Sequence, residues 1–290
     1  MRDVFTRYTA RMEQSVELPI RHWSHSSLMA FLRNPLAWYK RYVEGVYDTP
    51  SSPSAIVGRA AHLALQRFYE GEDKDEAIEA GRAYLKDVPD FEVNFGRARG
   101  RRAQRKKRKQ MEREYLQATF FYLERAPRHK VIGVEVRAMA DVEWLPIPLK
   151  AVSDLVVASR AEKGALDIVD HKFVDSFSPY KANRSLFILQ ALFNYYTVVS
   201  HYKKPVRRFI VHECKKRRNL DGKSQMRRYT IDFGKCEEEF EVFRRLLTDA
   251  TREISRPRLY LPNPSDMFEG ENSFDIYRLG LIVGSGKDRS

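Results

Sequence analysis

The chain has 290 residues, 43% hydrophobic and 31% charged, which is typical of a globular protein and excludes a disordered or collagen-like one. Its 52 lysines and arginines outnumber 39 acidic residues, and the net charge of +13 favours a polyanionic partner. The two cysteines, Cys214 and Cys236, are too few for a four-thiolate zinc or iron–sulfur site and predict a reducing compartment. No apolar run is long enough to span a membrane, and the N-terminus lacks the apolar centre of a signal peptide, so we expect a soluble, cytoplasmic protein.

The positive charge is concentrated in two runs. Residues 97–109 hold nine Lys or Arg and no acidic residue, and residues 203–228 hold eleven against two acidic residues. Dense like charges repel one another, and a nucleic acid relieves this repulsion while it releases its own counterions. The alternative is a solvated helix face or a mobile loop. We favour a nucleic acid, and the candidate contacts are Arg101, Arg105, Lys106, Lys109, Lys215, Lys216, Arg217 and Arg218.

The first part of the chain is predicted to be mainly helical. Apolar residues at helical spacing predict helices over 26–33, 36–44, 55–70, 75–86 and 97–125. The pair Asn34 and Pro35 separates the first two helices. The last helix begins in the basic run and becomes apolar later, so we expect it to dock only through its C-terminal half.

The pattern changes after residue 130. Short runs rich in Val, Ile and Leu predict strands over 130–138, 150–158, 165–173, 206–214 and 225–233, with a turn at 219–223. Two longer apolar patterns predict helices over 186–202 and 237–254. The order of elements predicts an α/β core with a helical N-terminal addition. We expect one domain over 1–290, with a helical part at 22–125, the α/β core at 130–256 and an irregular tail at 257–290.

Two aspartates and a lysine stand among aliphatic residues in the segment 150–173. A hairpin loop centred on Glu162 sets Asp154 opposite Asp170, on one face of the sheet. Lys172 lies two residues beyond Asp170 and therefore points to the same face. Opposed carboxylates destabilise a sheet unless something neutralises them, and hard oxygen ligands suit Mg²⁺ or Mn²⁺. The alternative, a buried ion pair of one aspartate with Lys172, leaves the other aspartate unexplained.

A polar stripe follows the predicted helix over 186–202. Gln190, Asn194 and Thr197 recur at helical spacing in a helix that is otherwise apolar nearly all round. A buried unpaired amide costs roughly 1–3 kcal/mol, so these side chains require polar partners. We expect Gln190 to face the active centre; the alternative is that the amides cap a neighbouring strand.

Asp154, followed after sixteen residues by Asp170-His171-Lys172, resembles the D…(D/E)-x-K signature of the PD-(D/E)XK nucleases. Further segments resemble, in order, the motifs of the RecB-like branch, which includes AddB, CRISPR-associated exonucleases and phage enzymes. These segments are residues 23–43, 57–68, 131–138 and 189–196. Together the ordered resemblance covers about residues 22–200. It implies a restriction-endonuclease-like core, a mixed central sheet flanked by helices.

The resemblance also implies site roles. His62, Asp154 and Asp170 match metal ligands, and the carbonyl of His171 matches a backbone ligand. Lys172 matches the lysine that orients or activates the attacking water, and Gln190 matches a catalytic glutamine. For His62 alone, the alternative is a helix histidine with ordinary hydrogen-bond partners.

Two departures from the family pattern are visible. Several relatives bind an iron–sulfur cluster through a Cys-Pro and three later cysteines, but this chain has Asn34-Pro35 there, so we expect no cluster. The tyrosine that should follow Gln190 by four residues is replaced by Asn194, with Tyr195 one residue later.

The resemblance implies a metal-dependent DNA nuclease, in particular an exonuclease acting on DNA ends in recombination or repair, in a prokaryotic or phage-infected cell. One alternative is a non-catalytic DNA-binding module of the same fold. Another is a nuclease subunit that depends on a helicase or a single-strand annealing protein, since the chain has no helicase P-loop motif. The oligomeric state stays open.

Overall fold

The computed structural model describes residues 18–46, 50–98, 100–179, 182–219 and 224–262. Seven α-helices lie in these ranges: α1 His25–Arg33, α2 Pro35–Tyr42, α3 Pro53–Glu70, α4 Lys74–Asp87, α5 Arg101–Glu124, α6 Asn183–Tyr202 and α7 Glu237–Ile254. Short 3₁₀ helices span Asp90–Glu92 and Phe233–Lys235. No described helix is both long and apolar enough to cross a membrane.

Six strands form one mixed sheet: β1 Trp23–Ser24, β2 Val131–Ala140, β3 Leu149–Ala158, β4 Leu166–Val174, β5 Val206–Lys215 and β6 Met226–Asp232. The strand order is β1-β3-β4-β5-β6, and β2 also pairs with β3. Strand β4 runs antiparallel to β3 and parallel to β5, and β6 runs antiparallel to β5. The predicted α/β architecture, with helices before the main strands, is therefore confirmed. Of the predicted turn at 219–223, only Asn219 lies within the described residues.

The chain divides into two compact units. The first contains the described residues of 18–46, 141–149 and 241–262, and its core is aromatic. The ring of Trp23 stacks on Trp38 with centroids 6.1 Å apart, and its Nε1–H donates to the Thr251 hydroxyl at 2.9 Å.

The second unit contains the described residues of 50–140 and 150–240. Helix α3 begins at Pro53 after the Ser52 cap and ends at Glu70, and it is capped by Gly71, whose φ of 106° suits glycine. Helix α5 buries residues only from Met111 onward, and its basic first half is largely exposed. This confirms the predicted docking through the C-terminal half, because the long cationic side chains of the first half gain more from water than from apolar neighbours.

Candidate metal centre

The candidate centre is built on the hairpin of β3 and β4. Leu155 pairs with Val169 and Ala158 with Leu166, which is the register predicted from a loop centred on Glu162. The regular strand pairing stops one residue short of Asp154. There the backbone N–H of His171 donates to the Asp154 Oδ2 at 2.7 Å. The Asp154 carboxylate thus accepts a hydrogen bond in place of a backbone carbonyl of a paired strand. This hydrogen bond fixes the position of the carboxylate.

Three side chains from three elements converge at this point. His62 of α3, Glu135 of β2 and Asp154 of β3 each offer one ligand atom, and these atoms lie within 4.8 Å of one another. The His62 Nδ1 is 3.4 Å from the Asp154 Oδ2. The structure thus brings together two residues that the sequence nominated, and adds Glu135.

Glu135 was missed by the sequence analysis. It lies in the predicted strand over 130–138, where a single acidic side chain reads as an outward-facing residue. Its backbone φ is 47°, in the left-handed region that costs a non-glycine residue roughly 1–2 kcal/mol. Strained backbone of this kind concentrates at functional sites. In the sequence, the signal that could have identified Glu135 was one carboxylate between Val134 and Val136 in an apolar strand.

Asp170 lies outside this group of three and has its own partners. Its Oδ1 accepts hydrogen bonds from the Lys172 ammonium at 3.1 Å and from the Gln190 amide of α6 at 2.6 Å. Its Oδ2 is 2.9 Å from the same ammonium, but accepts no hydrogen bond of suitable geometry among the described residues. One buried carboxylate oxygen of Asp170 therefore stays available to a ligand.

The side-chain contacts of Asp154 and Asp170 involve two different helices, and their placement on one face of the sheet stays a prediction. Asp154 contacts His62 of α3, whereas Asp170 is held by Gln190 of α6. The neighbouring Ser153 hydroxyl donates to Asn194 of α6 at 2.6 Å. At this end of β3 the carboxylate of Asp154 accepts the hydrogen bond from the His171 backbone N–H of β4.

The electrostatics differ for the two carboxylates. Burial opposes ionisation of Asp154, but the charge of His62 and hydrogen bonds from His171 and His62 outweigh it and hold its pKa well below the usual range. Burial raises the pKa of Asp170 against the opposing charge of Lys172, and the charge of Asp154 raises it further. For Lys172, burial is outweighed by the charges of Asp170 and Asp154, which raise its pKa and keep it protonated.

These residues fit a divalent cation. Glu135, Asp154 and Asp170 supply hard carboxylate oxygens and His62 an imidazole nitrogen, a donor set suited to Mg²⁺ or Mn²⁺. Burial is the main cause of the raised pKa values of Asp170 and Glu135, and the charge of Asp154 raises both further. A cation here would also relieve this repulsion between carboxylates. The carbonyl of His171 as a further ligand stays a prediction.

The predicted polar stripe of α6 divides among three environments. Gln190 reaches Asp170, while the Asn194 Nδ2–H donates to the Gln190 carbonyl at 2.9 Å. The Thr197 hydroxyl bonds only to carbonyls of its own helix among the described residues, so it faces no active centre. The ring of Tyr195 packs against that of Phe240, with the ring centroids 4.9 Å apart.

Replacing Gln190 by Ala should lower the cleavage rate about 10- to 100-fold. The Gln190 amide donates a hydrogen bond that positions the Asp170 carboxylate, and partners of this kind orient metal ligands. Single-turnover rates measure the effect. Thr197→Ala is the matched control on the same helix and should leave the rate unchanged. Equal rates for Gln190→Ala and wild type would contradict the positioning role.

The two basic runs have different environments. Arg101, Arg105, Lys106 and Lys109 are all exposed on α5, so each can reach a phosphate. The prediction of Lys216 as a DNA contact is wrong: its side chain is 1% exposed. Its ammonium lies 3.3 Å from an Asp175 carboxylate oxygen and also donates to a serine hydroxyl at the start of α3.

The other three residues of the second run lie nearer the surface. The Lys215 ammonium donates to Asn219, and the Arg217 guanidinium pairs with the largely buried Glu114 at 2.6 Å. Arg218 is exposed and lines an open groove between α4 and α5. The second run therefore offers a phosphate fewer cations than its sequence indicates.

Both cysteines are buried and lie in different elements. Burial raises the pKa of Cys214 to about 12, which makes it a poor thiolate ligand. We predict that Cys214→Ser combined with Cys236→Ser keeps cleavage activity, and that purified wild-type protein is colourless. Iron and acid-labile sulfide analysis checks this; stoichiometric iron would contradict it.

The family model of the PD-(D/E)XK nuclease superfamily matches residues 22–267. A solved structure described as "Putative exonuclease" from Eubacterium rectale aligns with a TM-score of 0.54 at 11% identity, over 88% of this chain and 89% of that one. A second, described as SSO0001, aligns with a TM-score of 0.32 at 14% identity, over 88% of this chain and 91% of that one. No curated protein is similar enough to match.

The first structural match shows a shared fold, and the six-stranded mixed sheet flanked by helices is consistent with the predicted restriction-endonuclease-like fold. The family model spans most of the chain, including all the elements of the candidate centre. The chain therefore belongs to the PD-(D/E)XK nuclease superfamily.

Proposed function

We propose that the protein is a metal-dependent deoxyribonuclease that uses Mg²⁺ or Mn²⁺ and acts as an exonuclease at DNA ends in recombination or repair. The observation that carries the proposal is the cluster of His62, Glu135 and Asp154 next to the ion pair of the buried Asp170 with Lys172. A structural ion pair of Asp170 with Lys172 would not need the three further acidic or imidazole groups beside it.

In this proposal His62, Glu135, Asp154 and Asp170 hold the cation. When bound, the cation supplies charge stabilisation at the scissile phosphate and lowers the pKa of a coordinated water. Lys172 stays protonated beside Asp170, so its N–H groups can orient the attacking water and stabilise charge that develops on the phosphate. Gln190 keeps the Asp170 carboxylate in place.

The exposed cations of α5 support DNA as the substrate, because a phosphate backbone is the polyanion that such a surface favours. End-dependence is supported by the RecB-like motif order and by the description of the Eubacterium rectale neighbour as a "Putative exonuclease". A helicase or annealing partner would supply DNA ends or single strands.

The test uses labelled linear DNA and covalently closed circular DNA with Mg²⁺, Mn²⁺ or EDTA. The proposal expects loss of linear DNA with either metal, intact circles, and no reaction in EDTA. Cleavage of circles at the same rate would contradict end-dependence. DNA binding without cleavage under every metal condition would favour the non-catalytic module.

Neutralising Arg101, Arg105, Lys106 and Lys109 to Gln should weaken DNA binding uniformly across sequences. Each lost phosphate contact should flatten the slope of log K against log salt by roughly 0.7–0.9. The cleavage rate at saturating DNA should change little, because these residues lie outside the metal centre. Binding across a salt series measures the effect.

The matched control changes four exposed arginines elsewhere to Gln: Arg244, Arg245, Arg252 and Arg256. It removes the same net charge. An equal change of slope in both variants would assign the effect to net charge and remove α5 from the DNA path.

A further inference from the structure

A second concave site lies within the second unit, on the sheet. It is a cavity of about 520 Å³ whose floor includes Val157, Ile210 and His212, all of them buried. Its walls include Pro127, His129 and Met226. The volume falls in the range of small-molecule sites, which are largely apolar with a few polar groups. None of its lining residues belongs to the candidate metal centre.

The rim of this cavity is strongly cationic. Arg128, Arg160 and Arg228 line it, and no carboxylate of the described residues lies within ion-pair distance of them. The acidic residue in the lining, Asp167, is 1% exposed and already pairs with Arg208 at 2.6 Å. All three side chains are exposed, and the Arg160 guanidinium also donates to the Arg128 carbonyl. Three guanidinium groups without a carboxylate partner around an apolar floor favour an anion, and arginine is well suited to phosphate.

The histidines of the cavity add a polar group to the apolar surface. The rings of His129 and His212 lie 25° from parallel with centroids 6.1 Å apart. Burial, then the charges of His171 and Arg160, lower the pKa of His129 to about 4, so it is neutral at pH 7. Its buried Nε2 has no hydrogen-bond partner among the described residues. A neutral imidazole can serve a heteroaromatic base as hydrogen-bond partner and packing surface.

We propose that this cavity binds a nucleoside monophosphate, with the base on the apolar floor beside His129 and the phosphate between Arg128, Arg160 and Arg228. Inorganic phosphate alone would leave the apolar floor bare, and duplex DNA would not enter a cavity of this size. The choice of a nucleotide over other aromatic phosphates rests on the proposed function, since exonucleolytic hydrolysis releases nucleoside monophosphates.

The experiment is isothermal titration of the full chain with 2′-deoxyadenosine 5′-monophosphate in EDTA, so that no metal bridges the phosphate. We expect saturable binding to one site. Arg128→Gln combined with Arg228→Gln should weaken it about tenfold or more, because charge-assisted hydrogen bonds to phosphate are lost. Arg128→Lys combined with Arg228→Lys, which keeps the charge, should retain part of it. Thermal melts confirm that the variants fold.

Two controls and two further ligands make the result decisive. Asp154→Asn, and Arg244→Gln combined with Arg245→Gln, should bind like wild type. Deoxyadenosine and inorganic phosphate should each bind at least about tenfold more weakly than the monophosphate. No binding by wild type, equal binding by the Arg128 and Arg228 double variant, or equal affinity for inorganic phosphate would overturn the inference.

A further titration with an oligonucleotide distinguishes binding of a free nucleotide from binding of a strand end. Loss of oligonucleotide binding in the double variant, with no monophosphate binding by wild type, would assign the cavity to the DNA path and overturn the inference. The proposed nuclease function is tested separately, because monophosphate binding is measured without metal. Monophosphate binding without DNA cleavage would refute only the nuclease function. DNA cleavage without monophosphate binding would refute only this inference.

Discussion

Replacing either Asp154 or Asp170 by Asn should lower metal-dependent cleavage by about three orders of magnitude or more. Each change removes the charge of a proposed ligand from the centre, and metal ions supply several kcal/mol of transition-state stabilisation in such reactions. Single-turnover cleavage of linear DNA at saturating Mg²⁺ measures the loss. Wild-type rates in either variant would contradict the assignment of that carboxylate.

The same two variants should separate in metal-free stability, because their pKa values shift in opposite directions. The lowered pKa of Asp154 means that its ionised form stabilises the fold above the unfolded pKa of about 3.9, and that this contribution disappears as the pH falls through the folded pKa. The raised pKa of Asp170 means that its ionised form costs stability at neutral pH. At pH 7 in EDTA, Asp154→Asn should lower the melting temperature by about 5 °C and Asp170→Asn should hold or raise it. The reverse order would contradict these charge assignments.

Replacing Lys172 by Gln should lower cleavage by about 10² to 10⁴ while Mn²⁺ still binds. The ammonium is the proposed group that orients water and stabilises charge, and positioned groups of this kind contribute rate factors of that size. Rate and metal affinity are measured on one preparation. A parallel loss of metal affinity and rate would reduce Lys172 to a support for the metal ligands.

A comparison variant is Lys216→Met, because Lys216 is also a lysine paired with an aspartate, but it lies outside the metal centre. Its loss should destabilise the protein without changing the rate of the folded fraction. A rate loss equal to that of Lys172→Gln would assign the Lys172 effect to lost packing.

Local pattern was enough for most of the fold. The hairpin register followed from loop length and strand alternation alone, since Leu155 pairs with Val169 as a centre at Glu162 requires. The helix of the basic run docks through its second half because only there does the sequence hold apolar residues at helical spacing. These features depend on neighbours in the chain, so the sequence carries them.

The errors concern contacts between distant segments. Lys216 looked like its basic neighbours, but it is neutralised by Asp175 from the end of another strand. Glu135 is nineteen residues before Asp154 along the sequence, and only the left-handed turn of its backbone and the approach of α3 bring it to His62. No pattern of charge or periodicity in the sequence predicts that Glu135 lies close to His62.

The central claim is that these side chains bind the divalent cation on which hydrolysis depends. The most direct measurement is a Mn²⁺ titration followed by electron paramagnetic resonance, on wild type and on the variants His62→Ala, Glu135→Gln, Asp154→Asn and Asp170→Asn. We predict saturable Mn²⁺ binding by wild type that each variant weakens, with Mg²⁺ competing for the same site. Mn²⁺ binding of equal strength in wild type and all four variants would contradict the claim.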